Sequence, residues 1–441
     1  MKINVAVIFP NKKHGGIYSL GPMYVETYFN LDKRFEAKRY FLDDLPKGRH
    51  HIYIFSISYE LDLPKVPKIL KKLGIPLNKE KREELVIAGG PAVRINPYYL
   101  KDIIDFEILG EAEATIPYLY DPLYNYFKHK NKGKLFEEIK DINGIFIPEI
   151  KEKEEHPYIE NLDESIHPIY QPLPKKLTRK YVFGNAFILE VARSCPFNCA
   201  FCDVKFLYKK FRFRSLEKLK EIINLGLKIN GKKKIALISP TLVHPNLFDL
   251  LHYILEEKKT KFMLPSLRAE LLLNDKMLEF IKRSGQRTIT LAPETGSEEL
   301  RFQLNKRIPD WVFFEIAKKA KNYGIKELKF YFIVGLPNQD MDDAYRIVEF
   351  IKKIKELFKG KIYVSVNPFV PKRGSLLENA PFDEKKSRKM IQILKKEFRK
   401  LKIRYKFKSI KTAKKEYLIQ WERRRGDLNP GPAGINRPHP G

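Results

Sequence analysis

The chain of 441 residues has little sulfur and little indole: three cysteines, six methionines and two tryptophans. Three thiols exclude a disulfide framework, which pairs its cysteines and would here leave one over. No apolar run reaches the roughly 18 residues that a membrane-spanning helix needs. The first residues, Met1-Lys-Ile-Asn-Val-Ala-Val-Ile-Phe-Pro10, set a charge inside a short apolar run and lack a small-residue cleavage site, so they read as a first strand and not a secretion signal. These absences point to a cytoplasmic protein with no membrane partner. Acidic residues are scarce too, 54 Asp+Glu against 84 Lys+Arg, for a formal net charge of +30. There is no internal repeat and no low-complexity segment.

The three cysteines are not scattered. Cys195, Cys199 and Cys202 share the run Arg193-Ser-Cys-Pro-Phe-Asn-Cys-Ala-Phe-Cys-Asp203, a CxxxCxxC spacing with an aromatic, Phe201, before the last thiol. Cysteine thiolate is the soft, anionic ligand of iron–sulfur clusters, and three of them can hold three irons of a 4Fe–4S cluster while the fourth stays open to a substrate. A structural zinc site needs a fourth cysteine or histidine at short spacing, and the nearest histidines are His167 and His244.

This loop resembles the defining motif of the radical S-adenosylmethionine (SAM) superfamily. The resemblance implies that Cys195, Cys199 and Cys202 ligate the cluster and that Phe201 lies near the SAM adenine. It further implies that SAM chelates the open iron through its amino and carboxylate groups. One electron then cleaves its carbon–sulfur bond to give a 5'-deoxyadenosyl radical, so an electron donor such as a ferredoxin or flavodoxin is an implied partner.

The surrounding residues support an α/β architecture. Strand-like runs at 186–192, 234–239, 261–266, 287–292, 328–334 and 362–367 alternate with amphipathic stretches at 215–230, 246–258, 274–284, 309–323 and 340–358. Such alternation predicts parallel pairing through helical crossovers, a partial (β/α)6 TIM-type barrel over 181–370. Chemistry in such folds sits at the carboxyl ends of strands. By the resemblance, Ser239 stands where a SAM amino-group ligand is wanted, Arg268 where the carboxylate is held, Glu294 where ribose hydroxyls bind, and Gly335 where backbone approaches adenine. Arg268 has a second reading as the ion-pair partner of Glu270 or Glu294. Pro265-Ser-Leu-Arg268, Leu291 to Arg301, Asn305-Lys306 and Phe330 to Pro337 resemble a subgroup with an amino-terminal cobalamin-binding-like domain. That subgroup usually carries glutamate where this chain has Gln339, a change that keeps hydrogen bonding and removes the charge.

Residues 1–114 fit that domain. Predicted strands at 3–9, 36–42, 52–57, 85–88 and 106–109 alternate with helical stretches, a doubly wound, Rossmann-like pattern. Ser56 to Glu60, Ala88-Gly-Gly-Pro-Ala92, Asn96-Pro97 and Leu109 to Glu113 resemble the subgroup, and Gly89 and Gly90 would let backbone approach a nucleotide tail. Cobalamin is therefore a candidate cofactor. The histidine that often ligates cobalt lies in an Asp-x-His-x-x-Gly loop; here His14 is the sole candidate, and Lys12 replaces the aspartate that would orient it.

The remainder reads as a connector at 115–180, a basic extension at 371–427 and a disordered Pro/Gly-rich tail at 428–441. Trp421 to Asp427 still resembles the subgroup, and the tail is what a reading frame entering a transfer-RNA gene on the opposite strand would encode. From Lys385 to Lys415 there are fifteen Lys/Arg and one acid, Glu397. As a strand, Leu401 to Lys408 would line up Lys402, Arg404, Lys406 and Lys408 on one face, a row suited to a phosphate backbone.

With no cysteine left for a second cluster, methylthio transfer is excluded. The sequence points to radical SAM chemistry with a single cluster, a radical methyl transfer through cobalamin or a carbon-skeleton change, with a small-molecule or peptide substrate favoured over RNA. The alternatives are an RNA-modifying radical SAM enzyme and a noncatalytic nucleic-acid-binding iron–sulfur module.

Overall fold

The computed structural model describes residues 1–150, 153–174, 176–231, 234–264 and 267–421. They form two compact units, Met1–Asn185 with the described part of Leu418–Gly441, and Ala186–Tyr417. The tail at 428–441 lies outside the described residues, and no described helix is long and apolar enough to cross a membrane.

The first unit is built on six strands: β1 (Ile3–Phe9), β2 (Phe35–Phe41), β3 (Ile52–Ser56), β4 (Leu85–Gly89), β5 (Phe106–Ile108) and β6 (Ile145–Phe146). Their order is β2-β1-β3-β4-β5-β6, parallel throughout except for antiparallel β6. Ile52–Ser56 is buried at every position because helices cover both faces of the sheet. One face carries Val5, Val7, Ile54 and Ile87, the other Ala6, Ile8, Phe55 and Val86, as the period-2 alternation of side chains requires. The stretch expected to be a connector contributes to this unit. Helices Tyr120–His129 and Lys132–Ile139 insert Leu123, Phe127, Leu135 and Ile139 into the first core. Their dense charge hid an apolar stripe built partly of tyrosine, with Tyr126 buried beside Phe127. Ile419 packs in the second core, and its carbonyl accepts from Asn96 Nδ2 at 2.8 Å.

Strand order is what locates a ligand crevice in such a sheet. In the order 2-1-3 the chain leaves β1 and β3 toward opposite sides, so the crevice opens between the loops that follow them, Pro10–Ile17 and Ile57–Glu60.

The second unit begins with β7 (Ala186–Glu190), followed by the short antiparallel ribbon of β8 (Ala192–Arg193) and β9 (Arg212–Phe213). The parallel strands β10 (Lys234–Ile238), β11 (Lys261–Met263), β12 (Thr288–Glu294), β13 (Glu327–Val334), β14 (Lys361–Pro368) and β15 (Arg404–Phe407) complete it. Pairing runs β11-β10-β7 and β12-β13-β14-β15, and among the described residues no pairing joins β11 to β12. All six expected barrel strands are present. Their helices are defined by local chemistry: Ser215 accepts from Lys218 N and Asn274 from Lys276 N at the amino ends, while Gly231 and Gly285 turn left-handed at the carboxyl ends.

β15 is a seventh strand. It pairs with β14 over Tyr363–Val366, after the helix Glu384–Lys400, which buries Met390, Leu394 and Phe398. The basic segment therefore adds one more helix–strand repeat. Its expected cationic row is shortened as well. Lys402 sits in a left-handed turn ahead of the strand, Arg404 is ion-paired with Glu327, and Lys408 with Glu416. Tyr405 and Phe407 turn inward against Phe398.

Candidate iron–sulfur and nucleotide site

The cysteine loop leaves the carboxyl end of β7 and returns through the β8–β9 ribbon, so both its ends are tied by backbone pairing. Glu190 receives a bidentate ion pair from Arg193, Nε at 2.9 Å and Nη2 at 2.8 Å. At its middle the loop is fixed again. Ala200 N donates to Leu304 O at 2.9 Å, Ala200 O accepts from Leu377 N at 3.0 Å, and Cys202 N donates to Cys199 O at 3.1 Å. Phe201 packs beside Leu300, Leu304, Leu336 and Phe369. The loop is thus anchored between Cys199 and Cys202, where a cluster would demand the least movement.

Burial pushes all three thiols above their ordinary range, Cys202 to about 12. At Cys195 and Cys199 the nearby Arg268 and Lys306 pull in the other direction. Metal binding here must therefore displace protons, and the two cations lower that cost. Among the described residues no three His, Cys, Asp or Glu side chains converge on one metal ion. A cluster instead bonds each cysteine to a different iron. His244 is no fourth ligand, since Nε2 meets Arg214 O at 2.7 Å and Nδ1 accepts from Asn246 N at 3.1 Å. The donor set fits a three-thiolate cluster better than structural zinc.

Several of the remaining candidates gather around this loop. Arg268 lies 3.7 Å from the ring centroid of Phe197, within the cysteine run, and pairs with Glu270 at 2.6 Å, the second of its two sequence readings. Its Nη2 also reaches Lys306 O at 3.4 Å. Lys306 stands 6.0 Å from the Phe201 ring and pairs with Glu294 at 2.5 Å. Glu294 occupies a β-bulge with φ of +70°, an uncommon conformation for a side-chain-bearing residue. Ser239 is buried at the end of the β10 run and commits its hydroxyl proton to Thr241 O, keeping only lone pairs for another partner.

The glycines have structural reasons of their own. Gly335 has φ of +85°, and a Cβ there would lie 2.1 Å from Ser387 Oγ. In the first unit a Cβ on Gly90 would fall 2.6 Å from Ile57 O, and one on Gly89 3.1 Å from Ile108 O. The absent side chains make room for neighbouring protein: Ile57, the first residue of the crevice loop after β3, donates its N–H to Gly89 O at 2.8 Å and lies directly against Gly90. His14 lies in the loop after β1, edge-on to Tyr181 at 6.4 Å.

Sequence reasoning missed Arg301, which is fully buried. Its guanidinium donates to Pro293 O at 2.9 Å, Thr295 O at 3.0 Å and Ile308 O at 2.9 Å, and pairs with Asp310 at 2.7 Å. It grips the carbonyls on either side of Glu294 and so holds the left-handed bulge. Nothing in a surface-like Glu-Glu-Leu-Arg run marks such a residue beforehand.

Comparison with known proteins agrees with this geometry. The radical SAM superfamily model matches residues 189–351, and that for radical SAM proteins, N-terminal, matches residues 43–148. An uncharacterized protein of Methanocaldococcus jannaschii is 30% identical over 428 residues, 97% of this chain and 89% of that one. An uncharacterized methyltransferase of Pyrococcus horikoshii is 28% identical over 280 residues, 61% of this chain and 58% of that one. Among solved structures, TsrM of Kitasatospora setae, a radical S-adenosylmethionine methyltransferase with cobalamin and a 4Fe–4S cluster bound, superposes with a TM-score of 0.61 at 12% identity, covering 86% of this chain and 74% of that one. The chain belongs to the radical SAM superfamily, and it is an enzyme.

Proposed function

We propose that this enzyme is a cobalamin-dependent radical SAM methyltransferase acting on a small molecule or peptide. The observation that carries the reading is the presence in one chain of a cysteine loop at a barrel strand end and a doubly wound unit with a 2-1-3 crevice. The likeness to the uncharacterized methyltransferase of Pyrococcus horikoshii and to the methyltransferase TsrM supports the same reaction. When bound, the cluster supplies the single electron that breaks a carbon–sulfur bond of SAM, and cobalamin supplies a carrier for the methyl group.

The chain's own residues have separable tasks. Cys195, Cys199 and Cys202 hold the cluster. Arg268 and Lys306 supply positive charge for the SAM carboxylate, Glu294 accepts from ribose hydroxyls once Lys306 yields it, and Phe201 offers a face to adenine. A one-electron donor of the ferredoxin or flavodoxin class completes turnover. The loops after β1 and β3 would hold cobalamin with no histidine ligand from His14, because the residue two before it is Lys12 and no carboxylate there orients the imidazole.

Anaerobic reconstitution with iron, sulfide and hydroxocobalamin tests this. The protein should retain corrinoid through gel filtration and turn SAM over to S-adenosylhomocysteine and 5'-deoxyadenosine. Cys199→Ala should lose the cluster chromophore and SAM cleavage but keep the corrinoid, and His14→Ala should keep both. Absence of corrinoid retention would overturn the methyltransferase reading, and RNA binding without any SAM turnover would favour a noncatalytic module.

A further inference from the structure

Beneath the loops that follow β12 and β13 lies a buried polar network that ligation of the cluster does not use. Asp343, 1% exposed, lies in the first turn of the helix Asp342–Phe358. Its carboxylate accepts from Thr295 Oγ1 at 2.9 and 2.8 Å, from Gly296 N at 3.4 Å and from Gln339 Nε2 at 2.5 Å. Among the described residues it makes no ion pair, so its direct contacts are these hydrogen-bond donors, with Arg346 acting on it only through space. Gln339 is 3% exposed and uses both ends of its amide. Oε1 accepts from Gly335 N at 2.7 Å and Leu336 N at 3.1 Å, while Nε2 also donates to Ile333 O at 3.1 Å.

The two loops are thereby fastened to one helix start. The β12 loop is locked further, since a Cβ on Gly296 would lie 2.3 Å from Ile347 N, leaving its backbone directly on that helix. This loop carries Glu294 and the β13 loop carries Gly335, both at positive φ. Such conformations persist only where the surroundings hold them.

The amide at 339 also has a chemical reason. A glutamate there could still accept from Gly335 and Leu336, but its second oxygen would face the Asp343 carboxylate and the Ile333 carbonyl with no proton between them. Two carboxylates in one buried contact repel unless one is protonated. Glutamine supplies the acceptor to one loop and the donor to Asp343 at once.

We infer that Asp343 and Gln339 form a positioning clamp that sets SAM affinity without touching SAM, by fixing the loops of Glu294 and Gly335 in one geometry. The inference rests on the reading of those loops as facing SAM. It is tested in the full chain, anaerobically reconstituted, by the SAM dissociation constant from equilibrium dialysis and by the rate of 5'-deoxyadenosine formation at saturating SAM with dithionite. Gln339→Glu should weaken SAM binding about tenfold, the weight of one buried like-charge or unsatisfied contact, with iron content and saturated rate near wild type. The swap Gln339→Glu with Asp343→Asn restores one charge and one donor across the contact, and should recover most of the affinity.

A folded Gln339→Glu variant that binds SAM like wild type, or a swap that rescues nothing, overturns the clamp. If Gln339→Glu does not fold, Thr295→Val and Thr295→Ser decide: the valine should lose affinity and the serine, which keeps the hydroxyl for Asp343, should not. Equal affinity in the two overturns the clamp. Wild-type protein with an intact cluster that does not bind SAM would sink the site reading and the clamp together, whereas normal wild-type binding with insensitive variants sinks the clamp alone.

Discussion

Replacing Arg301 by lysine should destabilise the barrel unit and loosen Glu294 in one step. The guanidinium is fully buried and spreads its donors over the carbonyls of Pro293, Thr295 and Ile308 and the carboxylate of Asp310. An ammonium has three donors on a single atom, so it cannot reproduce a planar fork whose acceptors lie on different sides. With two carbonyls left without their donor, and a buried unsatisfied acceptor costing about 1–3 kcal/mol, the loss should be about 2–6 kcal/mol. Burial, opposed by Arg301, holds the Asp310 carboxyl above its ordinary range. Its folded state therefore binds the proton more tightly than the unfolded one, and without the guanidinium this gap widens. The loss should accordingly shrink as pH falls. The checks are the urea midpoint by far-ultraviolet circular dichroism at pH 7 and 5, and the SAM dissociation constant. A loss under about 1 kcal/mol, with SAM affinity unaltered, would refute the bracing role.

Two further outcomes are expected. Burial raises the Glu416 carboxyl, but Lys372 and Lys408 outweigh it and leave its pKa lowered. A depressed folded pKa contributes stability above the ordinary glutamate range that is lost as pH falls through the folded value. Glu416→Gln should thus cost about 1–3 kcal/mol at pH 7 and progressively less in acid; a pH-independent difference in urea midpoint would contradict this. On the basic segment, Arg404 and Lys408 are already neutralised by Glu327 and Glu416, and Tyr405 and Phe407 are turned inward, so RNA should show no steep salt-dependent retention. Retention whose log–log salt slope falls by about two when Lys402 and Lys406 are neutralised would overturn this, at roughly 0.9 per phosphate contact.

Much of this architecture follows from local patterns. The run Val5 to Ile8, the Ser215 and Asn274 caps, and the glycines closing their helices are short-range signals, and the expected strands stand within a residue or two of where the sequence pattern placed them, except that of 261–266, which ends at Met263. The cysteine loop is equally local, because a spacing of three and two residues brings three thiols together whatever the rest of the chain does. Residues 115–147 were less legible, since their apolar positions are diluted by charge and gain meaning only against the sheet they cover.

What the sequence by itself determined, then, is the set of elements and the donor set for the cluster, both products of neighbours along the chain. Tertiary structure alone decided the 2-1-3 order that sets the first unit's crevice between the loops after β1 and β3, the docking of β15 beside β14, and the pairing of Glu294 with Lys306 and Arg268 with Glu270. It also decided why position 339 is an amide. The charge that glutamine tolerates and glutamate would oppose belongs to Asp343, whose carboxylate is turned inward and held by Thr295, 48 residues away along the chain. A carboxylate's neighbours in space, and the water it has lost, set which partner it accepts, and neither can be read from its neighbours in sequence.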